Sequence, residues 1–179
     1  DRPFGCSIAK KGGLRQEKRI DSQVYFTLIL TPKGPLRGRQ YDEEDGSASM
    51  QYHEFDGIQL SQLGMGAMRL PQTEPGFAKP IDEPKAMELI DCCISHGVNY
   101  FDTAYIYHMG QSEVLLGKAL KRYPRDSFCV ADKFNVQAEP DYEKQFARQL
   151  ERLQMDRIDF YLLHGVTDKL ISDYLDHGA

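Results

Sequence analysis

The chain has 179 residues, 41% hydrophobic and 27% charged, with a formal net charge of -5, a composition ordinary for a globular domain. An acidic balance with interspersed signs excludes the basic stripe of a nucleic-acid surface. The longest uncharged apolar run, Val24 to Leu30, has seven residues, against the roughly 20 of a membrane helix. The opening Asp1-Arg2-Pro3 lacks a secretory pattern, and a cytoplasmic protein without nucleic-acid or membrane partners is expected.

Residues 1–49 carry basic clusters, prolines and glycines with no sustained period of 2 or 3.6. They are expected to be a leader outside the folded unit or a disordered extension, with the natural start at Met50 and the folded unit covering 50–179. Two β-prone runs, Gln51 to Phe55 and Ile58 to Ser61, flank Asp56-Gly57, a strong hairpin signal. Gly64 to Met68 reads as a first buried strand whose glycines permit close approach. A helix follows, with Asp82 as N-cap, Pro84 in the first turn, Ala86, Leu89, Ile90, Cys93 and Ile94 on one stripe, and Gly97 as terminator.

Strand Val98 to Phe101, helix Ser112 to Arg122, strand Phe128 to Ala131, helix Asp141 to Gln154 and strand Ile158 to Leu163 complete the pattern. Phe146, Leu150 and Leu153 are expected on the buried face of that last helix. Strand and helix alternate, which predicts an α/β architecture with a parallel sheet, either a barrel or an open doubly wound sheet. A full eight-stranded barrel needs about 250 residues, so the chain is expected to be the front half of something larger. The four cysteines, Cys6, Cys92, Cys93 and Cys129, show no C-x-x-C spacing and read as thiols, and no zinc or other metal site is predicted.

In parallel β/α architectures catalytic groups collect at the C-terminal ends of strands. Asp102, Lys133 and His164 each fall at such an end. Singly they read as a helix cap, a solvated lysine and a strand-end histidine; their recurrence on three consecutive strands points to chemistry. Tyr105 and Tyr107 are both phenols within reach of the same strand end.

Four segments carry a family resemblance: L-G-M-G-A-M-R-L-P from Leu63, N-Y-F-D-T-A-Y-I-Y from Asn99, G-Q-S-E-V-L-L-G-K-A-L from Gly110, and D-F-Y-L-L-H from Asp159. Over about Tyr52 to Asp168 the chain resembles the aldo-keto reductases. The resemblance implies a (β/α)8 TIM barrel of which only about the first four βα units are present. It also implies NAD(P)H-dependent reduction of an aldehyde or ketone, with a tetrad of Asp102, Tyr107, Lys133 and His164. Tyr107, five residues after the aspartate, would be the proton donor, with Tyr105 left to packing. Lys133 would lower the phenol's pKa, Asp102 would hold Lys133, and His164 would orient the substrate carbonyl.

Gly66, Met68 and Asp102 would face the cofactor, NADP or NAD. His108, beside the acid, would line the pocket or lie exposed. Two departures stand out, Ala67-Met68 at the first strand and Asp132 before Lys133 where threonine is usual. A narrower resemblance, in Tyr107 to Glu113 and Phe160 to Gly165, is to a subgroup with a ferredoxin-like 4Fe-4S domain after the barrel. That cluster would belong to a longer parent protein. The rival readings are a non-catalytic nicotinamide-binding regulatory protein and an inactive fragment of the enzyme.

Overall fold

The computed structural model describes residues 26–28, 49–76 and 79–177. Strands β4 (Leu63–Gly66), β5 (Tyr100–Asp102), β6 (Cys129–Phe134) and β7 (Phe160–Leu163) lie side by side in parallel, in that order. Helices α1 (Glu83–Ser95), α2 (Gln111–Leu120) and α3 (Tyr142–Leu153) connect them, and a short α4 (Ile171–Asp176) follows β7. The parallel sheet and the order of its elements are those of the first four βα units of a barrel. A further strand, β1 (Phe26–Leu28), pairs antiparallel with Leu63–Met65 at the free side of β4. The rest of the predicted leader before Ser49 lies outside the described residues.

Register determines what each face of the sheet carries. Met65 pairs with Phe101 and Phe101 with Val130. These three side chains are buried with Ile90, Leu116 and Leu120 in the core that joins the sheet to α1 and α2. Because side chains alternate along a strand, Gly66, Asp102, Ala131, Lys133, Phe160 and Leu162 share the opposite, inner face. The hairpin β2 (Tyr52–Phe55) and β3 (Ile58–Ser61) closes one end of that face. Its turn has Asp56 at φ 49° and Gly57 at φ 79°, the left-handed pair expected of Asp-Gly. Phe55 and Tyr100 pack on Phe160 at ring distances of 5.8 and 5.4 Å. Asn99 fastens the hairpin, accepting from Ser61 N (2.7 Å) and donating to Gln59 O (2.8 Å).

The capping signals of α1 are realised. The Asp82 carboxylate accepts from Lys85 N at 3.3 Å, and Gly97 follows the helix at φ 84°. Two elements differ from expectation. β6 runs three residues past Ala131, through Asp132 and Lys133: the Lys133 ammonium pairs with Asp102, and the Asp132 carboxyl accepts the Lys133 backbone N–H. In α3 the most buried side chains are Gln145, Gln149 and Leu153, so the buried face includes amides beside the apolar stripe. Gln145 serves both the N–H and the carbonyl of Asn135, and Gln149 donates to Lys133 O at 3.1 Å. Cys93 and Cys129 are buried free thiols, whereas Cys92 is disulfide-bonded, contrary to the all-thiol expectation. Among the described residues no helix is long and apolar enough to cross a membrane.

Candidate active site

The sheet brings Asp102, Lys133 and His164 to one end of its inner face. Asp102 closes β5, Lys133 is the penultimate residue of β6, and His164 directly follows β7. Lys133 Nζ donates to Asp102 Oδ1 at 2.6 Å and to Thr103 O at 2.7 Å. The two ionic side chains are only 15% and 18% exposed, so solvent screens the pair weakly. The ammonium also lies over the Tyr107 ring, 5.0 Å from its centre, a cation–π distance. His164 stands edge-on to the same ring at 5.7 Å and 85°. All four residues of the expected tetrad therefore meet.

His164 is held through its backbone, which donates to Phe134 O at 2.8 Å. Its Nδ1 is buried without a hydrogen-bond partner among the described residues. Burial first, and the Lys133 charge second, hold the imidazole below its usual titration range, with Asp102 opposing. A ring neutral near pH 7 can donate one hydrogen bond and carries no charge.

Tyr107 owes its position to a tight turn, Tyr107–Gly110, in which His108, Met109 and Gly110 take φ of 49°, 57° and 87°. Two such non-glycine residues cost about 1–3 kcal/mol each, so the surroundings must hold them. His108 Nε2 accepts from Leu70 N at 3.1 Å. The Arg152 guanidinium lies where a Cβ on Gly110 would be, 2.7 Å from the nearest atom. Behind the turn, Ser112 Oγ donates to Ala67 O (3.1 Å) and meets Thr103 Oγ1 at 2.9 Å. The Ser112 proton is thus committed, and Thr103 is the donor of the second bond. That relay ties the ends of β4 and β5 to the start of α2.

Other residues fall outside the tetrad. Tyr105 stacks under Arg152 at 4.6 Å and accepts from Arg148 at 3.1 Å, which bears out packing. His108 faces the β4 exit and lines a surface cavity of about 410 Å³ with Ile81, Met109, Val114 and Lys118. No tetrad member lines that cavity. Gly66 is paired in register with Asp102, and Met68, in the turn after β4, is 51% exposed. A strand end without a side chain and an exposed apolar residue beside it would admit the nicotinamide end of a dinucleotide.

The motifs pointed to the tetrad and missed the residues that support it. Thr103, Glu113, Arg152 and Gln149 carry no catalytic signature, and only the G-Q-S-E-V-L-L-G string hinted that the start of α2 is constrained. Glu113 accepts from Arg152 at 2.7 Å while fully buried. Gly117 meets the Leu153 backbone, whose carbonyl oxygen would be 2.1 Å from an added Cβ.

A strand-end lysine paired with aspartate thus lies beside a tyrosine and a histidine on parallel β/α units. The profile of the Aldo/keto reductase family matches residues 62–171, and the chain belongs to that family. It is 32% identical over 121 residues to a probable aldo-keto reductase 1 of Glycine max, covering 62% of this chain and 34% of the relative. An uncharacterized oxidoreductase of Mycobacterium tuberculosis is 36% identical over 140 residues, covering 72% and 43%. Among solved structures, a holo-form aldo-keto reductase from Bacillus halodurans superimposes with a TM-score of 0.55 at 34% identity, covering 72% and 45%. The chain thus spans about a third to under half the length of the relatives it matches.

Proposed function

We propose that this chain carries the proton-transfer half of an NAD(P)H-dependent carbonyl reductase, acting on a small aldehyde or ketone. The observation that supports this most is the Lys133 ammonium, held 2.6 Å from Asp102 and 5.0 Å from the centre of the Tyr107 ring. The nicotinamide supplies the hydride when bound; the remaining work falls to the residues. A free phenol near pKa 10 is a weak acid at neutral pH. The Lys133 cation against the Tyr107 ring places positive charge beside the proposed proton donor. Asp102 and Thr103 O fix where that cation sits. Neutral His164 offers its N–H to the substrate oxygen, where negative charge develops. Proton transfer in reverse serves alcohol oxidation.

NADP is the proposed cofactor. A structure from Klebsiella pneumoniae with a TM-score of 0.56 is described as in complex with NADPH, but at 22% identity that likeness concerns the fold. Gly66, Met68 and Asp102 would face the nicotinamide end, which NADP and NAD share, so NAD is the alternative. Among the described residues no three His, Cys, Asp or Glu side chains group to hold a metal ion. The rival regulatory role is disfavoured by the assembled tetrad, which cofactor binding alone does not need. On the inner face Leu162 remains 41% exposed, and we propose that turnover requires further protein to cover it.

Tyr107→Phe, made in the longest form of the protein that reduces a carbonyl, tests the assignment. It is expected to lower turnover at least about 100-fold, the usual scale of general-acid catalysis, with NADPH affinity by fluorescence titration unchanged. Near-normal turnover would remove Tyr107 from its role.

A further inference from the structure

We propose that Asp132 and Glu113 share one buried proton and that the pair positions Lys133 from the helix side of β6. Asp132 is next to Lys133 but on the other face of the strand. There it meets Glu113 of α2 and is paired in register with Tyr161 of β7, while Glu113 in turn meets Gln149 and Arg152 of α3. Asp132 and Glu113 are both fully buried. One oxygen of each, Asp132 Oδ2 and Glu113 Oε1, has no partner so long as both carboxyls only accept. The two side chains are within hydrogen-bonding reach of each other. A single proton between them satisfies both orphaned oxygens, and two buried negative charges in contact are otherwise strongly unfavourable.

The charges around the pair say where the proton resides. Burial raises the Glu113 carboxyl above its ordinary range, and the Arg152 guanidinium at 2.7 Å opposes that shift, so Glu113 is the member of the pair with a cation beside it. Asp132 accepts only the Lys133 backbone N–H, at 2.7 Å, and the Lys133 ammonium is turned to the other face toward Asp102. Tyr161, whose phenol is pushed by burial above its ordinary range, donates to Gln149 at 2.6 Å, and Tyr142 of α3 packs against its ring. Burial first, then the Glu113 charge, push Asp132 up to about 8 from its ordinary 3.8.

The consequence for Lys133 follows from the register. β5 pairs with β6 no further than Ala131, so Lys133 lies beyond the help of that neighbour. Its N–H is taken by Asp132 Oδ1 and its carbonyl by Gln149. Asp132 and Glu113 are therefore positioning residues for the lysine beside Tyr107. This role deepens the proposed reduction and rests on it, whereas the shared proton does not.

An acid raised in the folded state binds more protons there than when unfolded. Its contribution to stability is complete below about pH 4 and lost as the pH rises to about 8, by up to about tenfold in the folding constant per pH unit. Carboxyl-carbon NMR on the chain labelled at Asp and Glu, with the Lys133 amide followed in parallel, reads the pair directly. We expect one Asp signal, absent in Asp132→Asn, to titrate at least about two units above 3.8, with the Lys133 amide moving at the same midpoint. Glu113→Gln should lower that midpoint by removing the neighbouring charge. An Asp132 midpoint near 4, or a Lys133 amide indifferent to it, would overturn the proposal. Should Asp132→Asn fail to fold, the wild-type titration and its shift in Glu113→Gln decide. Absence of carbonyl reductase activity would sink the proposed function and leave this titration standing.

Discussion

At the residue scale, Lys133 has two neighbours that report its charge. Asp102 is held by it, and His164 is kept neutral partly by it. Lys133→Met is therefore expected to leave a carboxylate without its cation. The cost is about 2–3 kcal/mol, below the full range for a buried pair because both groups keep some solvent contact; urea unfolding measures it. The same substitution should raise the His164 titration midpoint seen by NMR, because a like charge is removed while Asp102 remains. In the unsubstituted chain, the lowered imidazole means that the unfolded state binds the His164 proton first. Stability from this group is full above the ordinary 6.5 and is lost as the pH falls below it. A His164 midpoint at or above 6.5 would contradict the arrangement.

At the element scale, the packing of α2 on α3 depends on Gly117. Helix propensity alone says that Gly117→Ala should stabilise α2 by about 1 kcal/mol. The contact says otherwise: the new Cβ would fall 2.1 Å from Leu153 O, a backbone atom that can move only with α3. Overpacking of this kind costs about 1–3 kcal/mol and prevails over propensity. Gly117→Ala is expected to lower the thermal midpoint, and a raised midpoint would show that the helices separate freely. Elements with local signals were legible in the sequence. α1 was marked by Asp82, Pro84 and Gly97, and the hairpin by Asp56-Gly57. β6 was cut short at Ala131 because Asp132 and Lys133 look like the end of an apolar run, and their partners Glu113 and Asp102 come from other elements. Gln145 and Gln149 were missed for the same reason, since a polar side chain is buried when a distant backbone needs it. The tetrad was legible because strand ends and catalytic residue types coincide. The Arg152, Glu113 and Thr103 contacts that hold it were not, being products of tertiary packing.

At the scale of the whole molecule, the described sheet is guarded unequally. β4 is paired on its outer side by β1, whereas β7 has a neighbour on one side only among the described residues. Around that edge Leu163 is 37%, Val166 50% and Leu175 65% exposed. A strand with one open edge bordered by apolar side chains is a template for another chain. The 179-residue chain is therefore expected to self-associate as its concentration rises, as sedimentation velocity would show. Leu163→Lys should shift it toward monomer, because a lysine stem can lie on the sheet while its ammonium opposes a second edge. If both proteins sediment as monomers, the edge is covered within one chain, and the requirement for additional protein in turnover loses its physical basis. If only the variant is monomeric, the exposed edge is the surface on which the rest of a barrel, or a partner supplying it, would assemble.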